Sequence, residues 1–160
     1  MKLTEHFTLE EFQRSAKAAE LGIENRVPAE LVPNTRNLCE QVLEPLREHF
    51  QEAVYVSSGY RCPQLNSAVG GVANSQHMRG EAADICPCRV VEVSTSAGVT
   101  RRLVPDSTSA EARQRMRGWA EWIMDNCPFD QLLRERRGNS FWIHVSLKRG
   151  GGRRRAGGGW

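Results

Sequence analysis

Three residues able to bind a metal ion fall into one pattern in this chain. His77 precedes Asp84 by seven residues, and Gly80, Ala82 and Ala83 lie between them. Small residues let two backbone segments approach closely, and Gly80 permits a turn that a bulkier residue resists. If a strand begins near Ala82, alternation puts Ala82, Asp84 and Cys86 on one face. Far downstream, in a second alternating strand, Trp142, His144 and Ser146 share one face and Ile143, Val145 and Leu147 the other. Zinc sites in enzymes commonly take three protein ligands from His, Asp and Glu and keep a fourth position open. Two ligands from one loop and a third from a distant strand suit such a site. Taken singly, each residue has a plainer reading: His77 as a polar loop residue, Asp84 as a capping or surface acid, His144 as a satisfied core histidine.

The neighbouring residues favour the metal reading. Ser75-x-His77-x-x-Gly80-x-Ala82-x-Asp84 resembles the zinc-ligand signature of the D-alanyl-D-alanine peptidases. That family includes D,D-carboxypeptidases, the D,D-dipeptidases of vancomycin resistance and the L-alanyl-D-glutamate peptidases of phage endolysins. Ser57-Ser-Gly-Tyr-Arg61 resembles the segment that places a substrate-binding arginine. Trp142-Ile-His144-Val-Ser146 resembles the strand carrying the last ligand, in the form found in small phage and prophage members. Phe129-Asp-Gln-Leu-Leu-Arg-Glu135 is similar to that subgroup too. The resemblance covers roughly Leu3 to Leu147. It implies a hedgehog-like α+β fold, one zinc ion held by His77, Asp84 and His144, and hydrolysis of peptide bonds in D-amino-acid-containing peptidoglycan stem peptides. It leaves carboxypeptidase and endolysin-like cleavage both open. Arg61 is implied as a grip on a substrate carboxylate or on the oxyanion. Ser75 is implied as a substrate contact or as a hydroxyl that orders the loop.

Zinc brings the pKa of a bound water to about 7, and a general base must still take the proton and pass it on. Many members of the family carry Glu or Asp three residues before the last His, where this chain has Phe141. Glu135 is the substitute if Phe129, Gln131, Leu133 and Glu135 share a face; Asp130 would point the opposite way. Glu135 reads equally well as a hairpin charge paired with Arg136 or Arg137. Phe141 also motivates an alternative, a metal-holding domain of the same fold that binds the cell wall without catalysis.

The elements that must position these residues can be read coarsely. Thr8-Leu-Glu-Glu11 is a capping box opening a helix expected to run to Leu21 and end near Gly22. Pro28 opens a second helical region, with Leu31, Leu38, Val42, Leu43 and Leu46 at helical spacing and a kink expected at Pro45. Ala53 to Ser58 reads as a strand, Cys62 to Val69 as a short helix closed by Gly70-Gly71, and Ala82 onward as the next strand. Val90 to Val93 reads as a further strand, and the Ser/Thr-rich run from Ser94 to Ser109 as a loop or irregular hairpin. Ala110 to Asn126 is an amphipathic helix with Met116, Trp119 and Ile123 on its apolar face. A hairpin follows around Arg136-Arg-Gly-Asn139. The expected architecture is α+β, a central antiparallel sheet with flanking helices.

A chain of 160 residues, 39% hydrophobic and 26% charged, suits one globular domain, assigned to residues 1–147. No run of about 18 apolar residues exists, so no membrane insertion is expected. The polar N-terminus lacks the apolar core of a secretory signal. The product is therefore expected to be cytoplasmic as synthesised, and the resemblance implies later release to the cell wall with a phage lysis system. A monomer is expected. The five cysteines read as reduced thiols, and the one-residue gap in Cys86-Pro-Cys88 is too short for the usual zinc half-site. Of 22 basic residues, five lie at or beyond Lys148, so the remainder of the chain carries 17 basic against 19 acidic residues. The Gly/Arg-rich stretch 148–160 is expected to be a disordered tail, because Gly and Arg bury no apolar surface. Arginine-rich tails attract polyanions, but only Trp160 offers stacking and no base-reading module exists, so nucleic acid is not expected as a partner.

Overall fold

A computed structural model describes residues 1–160. Helix α1 (Leu9–Gln13) starts where the capping box requires: Glu11 reaches back to accept from Thr8 N at 2.7 Å. The single helix expected to Leu21 is broken. Arg14 leaves helical geometry, and Ser15 caps a second helix, α2 (Ala16–Leu21), which ends at left-handed Gly22. The next helical region is continuous but changes pitch. A 3₁₀ turn (Ala29–Leu31) leads into α3 (Val32–Leu38), a π turn (Cys39–Leu43) and α4 (Glu44–Phe50). In the π turn the Glu44 N–H reaches back to Cys39 O, so the wider turn absorbs the disruption expected at Pro45.

Strand β1 (Val54–Ser58) feeds α5 (Pro63–Ala68) and a one-turn 3₁₀ helix, Gln76–Arg79. Strands β2 (Ala82–Thr95) and β3 (Gly98–Pro105) then form one long hairpin. The separate strand expected over Val90 to Val93 is part of β2, and of the loop or irregular hairpin expected over Ser94 to Ser109 it is the hairpin that forms, in regular register. The outer half of the hairpin is solvent-exposed on both faces, so it carries no apolar alternation to reveal it. Helix α6 (Ala110–Asn126) has the expected bounds, with Ser109 Oγ accepting from Ala112 N at 3.0 Å. Strands β4 (Gln131–Arg137) and β5 (Ser140–Ser146) turn at left-handed Gly138, and β6 (Arg155–Gly158) closes the chain.

The sheet runs β1-β2-β5-β4-β6, with β3 continuing from β2. It is mixed: β6 lies parallel to β4, and the other pairings are antiparallel. The fold is α+β as expected, but the all-antiparallel sheet is corrected by the C-terminal segment. That segment is not a loose tail. Asp130 clamps Arg153 from two carboxylate oxygens, and Trp160 packs edge-on against Phe141 at 5.5 Å while donating to Glu135 O at 2.8 Å. Gly152 lies so close to Phe129 that a Cβ there would come within 2.3 Å of its carbonyl oxygen. Glycine thus serves docking here, where composition alone suggested disorder.

One sheet face is apolar. Ala83, Ile85, Ile143, Val145 and Leu132 pack under α6 and the α3–α4 region, with Trp119, Met116 and Leu43 fully buried. Trp119 donates to Glu52 at 2.6 Å, so it is a core residue and no binding platform. His49 stacks on Trp122 at 4.6 Å. No helix is long and apolar enough to cross a membrane.

Candidate metal centre and groove

The opposite sheet face carries the polar residues. Asp84 and His144 are register partners across β2 and β5, so their side chains stand side by side. His77 arrives from the 3₁₀ turn, whose first N–H groups need a cap. Ser75 Oγ supplies it, accepting from His77 N at 3.2 Å. Gly80 ends the turn at φ 69°, and a Cβ there would meet Thr35 Oγ1 at 2.8 Å. Thr35 and Asn34 on α3 hold the same turn, donating to Gly80 O and Arg79 O.

His77 Nε2 lies 3.3 Å from Asp84 Oδ1, and His144 Nδ1 lies 3.0 Å from the same oxygen. All three side chains are buried. The other imidazole nitrogens are engaged elsewhere. His77 Nδ1 is 2.7 Å from Gly59 O, which can only accept, so Nδ1 carries a proton and Nε2 is the nitrogen turned to Asp84. His144 Nε2 is 3.2 Å from Gln131 Oε1, which leaves Nδ1 facing Asp84. Burial works to raise the Asp84 carboxyl, but His77 and His144 beside it hold it well below the usual carboxylate range. Burial works to lower His144, and its contact with Asp84 overrides this and raises it.

This donor set fits a small divalent ion. The three ligand atoms lie within 4.8 Å of one another. A tetrahedron with arms of about 2.0–2.1 Å has edges of about 3.3 Å, close to the two spacings around Asp84. The outward hydrogen bonds of both imidazoles are the support that metal-bound histidines usually have. The sequence named all three residues, and the fold brings them together.

The remaining residues distribute around a groove of about 640 Å³ over this group. Arg61 is at its edge, with Nη2 3.5 Å from Asp84 Oδ2, Nε donating to Ser58 and Nη1 to Asn66. Ser75 also lines the groove, with its oxygen serving the His77 turn. Glu135 lines the groove, stands opposite Trp142 in register and accepts from Trp142 Nε1 at 3.1 Å. It makes no ion pair with Arg136 or Arg137. Asp130 faces away and is consumed by Arg153, whose contact holds it down to about 2. Cys86 shares Asp84's strand face but packs into the core cluster, away from the groove, and burial pushes its thiol up to about 12.

A family model described as Peptidase M15 matches residues 5–116. The chain belongs to the Peptidase M15 family. By that membership it is a peptidase of a metallopeptidase family, and the buried His77–Asp84–His144 group is where a metal could sit. The match includes His77 and Asp84 but stops short of His144 and Glu135, so those two rest on the geometry and on their local motifs. No curated protein sequence matches the chain.

Two positioning residues escaped the sequence reading. Asn25 is buried in the segment between α2 and the 3₁₀ turn. It donates to Tyr60 O and accepts from Cys62 N, fixing the backbone on both sides of Arg61. Gln131 holds His144, and its own N–H donates to Ser146 Oγ at 3.1 Å. Nothing local marks Asn25, whose two contacts beside Arg61 are more than 30 residues away and whose third, to Gln13 O, is twelve away. Alternation along Phe129, Gln131, Leu133 and Glu135 puts Gln131 on one face with Glu135, and that placement is the available signal.

Proposed function

We propose that the chain is a zinc peptidase that hydrolyses peptide bonds in peptidoglycan stem peptides. The observation that carries the reading is the convergence of His77, Asp84 and His144 at the floor of a groove rimmed by Arg61 and Glu135. When bound, zinc would supply Lewis acidity, lowering the pKa of water to about 7 and polarising a carbonyl. The chain's own groups do the rest. His77 and His144, oriented by Gly59 and Gln131, turn Nε2 and Nδ1 to the metal position without rearrangement, and an ion binding there would displace any proton they share with Asp84. Arg61 offers a guanidinium to a substrate carboxylate or to the oxyanion. Glu135 takes the proton of the attacking water and returns it to the leaving amine.

Phe141 does not weigh against catalysis. It points into the core, packed between Trp160 and the Arg113 guanidinium, so a carboxylate at that position of this strand would face away from the groove. Glu135 stands on the neighbouring strand and on the correct face. The similarity of Phe129–Glu135 and Trp142–Ser146 to small phage members supports a monomeric enzyme that reaches the wall through a phage lysis system. The test is zinc content together with product release from purified cell-wall peptides. About one zinc per chain with turnover supports the reading. Zinc without turnover on any stem peptide would leave a metal-holding wall-binding domain instead.

A further inference from the structure

The C-terminal segment concentrates positive charge on one wall of the groove. Six cationic side chains line the groove against two acidic ones, Asp84 and Glu135. The chain as a whole has 22 basic and 19 acidic residues, so this excess is local. Three of the six have acidic neighbours: Arg61 lies near Asp84, Arg79 pairs with Glu81, and Arg153 with Asp130. Arg137, Lys148 and Arg155 make no ion pair at all. Cations gathered in a concave site repel one another and focus a field that attracts anions.

The placement of Arg155 is fixed by register. Parallel pairing sets Arg155 beside Gln131, and laterally paired residues point to the same face of a sheet. Arg155 therefore faces the groove beside the residue that holds His144. The segment is held to the body by the Asp130–Arg153 clamp and by buried Trp160, so this wall is built into the domain. Two strand spacings, about 10 Å, separate β6 from β5. That is the span of about three residues of extended peptide.

We propose that residues 148–160 form a specificity wall, in which Arg155 and Lys148 bind a substrate carboxylate different from the one offered to Arg61. The enzyme would then select acidic peptides with a free carboxylate two or three residues from the bond cut. This rests on the peptidase reading above. Arg155 and Lys148 act on substrate choice, and the reacting atoms belong to the metal group and Glu135.

The test uses L-alanyl-γ-D-glutamyl-L-lysyl-D-alanyl-D-alanine, whose glutamate is the third residue from the terminal D-alanyl-D-alanine bond, with the glutamate α-carboxylate either free or amidated, bound to the zinc-loaded 160-residue protein and followed by calorimetry. Cleavage of both peptides is followed in parallel. The wild type should bind the acid about tenfold more tightly than the amide, the size of one charge-assisted contact. Arg155→Gln and Lys148→Gln should each shrink that ratio and together abolish it, through the acid's affinity alone, and in turnover the loss should fall on KM. Arg101→Gln, on the exposed β2–β3 hairpin, should leave the ratio intact. Equal binding of acid and amide by the wild type, or an unchanged ratio in the double variant, overturns the proposal. So does salt-sensitive binding of a single-stranded oligonucleotide through these two residues without any preference between the peptides. Selective binding without cleavage would keep the wall and remove the peptidase reading; cleavage without selectivity would do the reverse.

Discussion

The two sides of the groove are built in different ways. The side from Arg61 to Asp84 comes from one continuous stretch that orders much of itself, since Ser75 caps the His77 turn and Gly59 O fixes the His77 ring, while Asn25, Asn34 and Thr35 brace its backbone from outside. The side formed by β4, β5 and β6 is assembled by register. His144 meets Asp84, Glu135 meets Trp142 and Arg155 meets Gln131 only because three strands align. The first side is a motif, and the second is an arrangement. A motif keeps its geometry while its own loop and the few side chains bracing it are intact, whereas an arrangement depends on every strand beside it.

The largest expected effect asks whether the two sides meet at one ion. His77→Ala and His144→Ala should each reduce zinc from about one per chain to near none, measured by elemental analysis after dialysis. Full zinc retention in His144→Ala would mean that the register-built side supplies no ligand, and the shared centre would be wrong.

Next is the division of labour on the register-built side. Glu135→Gln should lower turnover by about 10²–10⁴-fold with zinc content unchanged, the range for losing a general base. Unchanged turnover would remove Glu135 from the mechanism. Phe141→Glu should fail to rescue it and should destabilise the fold by roughly 3 kcal/mol or more, since it removes a buried ring and buries a charge. Rescue of Glu135→Gln by Phe141→Glu would show that β5 can present that position to the groove after all.

The same contrast explains what could be read from the chain. His77, Asp84 and Arg61 were readable because their spacing and small-residue context are local. His144 and Glu135 are readable only through strand alternation and a resemblance of their short segments to small family members, which give a face but no partner. Asn25, the π turn before Pro45 and the break at Ser15 depend on contacts or hydrogen bonds that periodicity does not encode. The C-terminal segment was misread for a definite reason. Composition predicts whether a segment can bury apolar surface alone, but β6 needs only backbone pairing, one carboxylate clamp and one terminal tryptophan.

A smaller effect should come from the support of His144. Gln131→Leu removes the acceptor at Nε2 and leaves the ligand nitrogen in place, so zinc affinity should fall by about 10–100-fold, read by chelator competition. The matching support of His77 is a backbone carbonyl and cannot be mutated away, which is one more way in which the motif side is the sturdier. Unaltered affinity would mean that strand pairing alone orients His144.

The smallest effect tests how firmly the register-built side is closed. Asp130 is held down to about 2 by Arg153, against an ordinary value of 3.8. A carboxylate depressed in the folded state adds stability that is fully present above 3.8 and is lost as pH falls through about 2. Arg153 is half exposed, so solvent screening keeps the pair's contribution small. Hydrogen exchange should therefore show the β6 amides losing protection between pH 4 and 2, ahead of β2 and β5. Asp130→Asn should lower β6 protection already at neutral pH and flatten its dependence on pH across that window. If β6 exchanged in step with β2 at every pH, and Asp130→Asn changed neither, the clamp would be irrelevant. The wall would then be held by Trp160 and backbone pairing, which act regardless of charge.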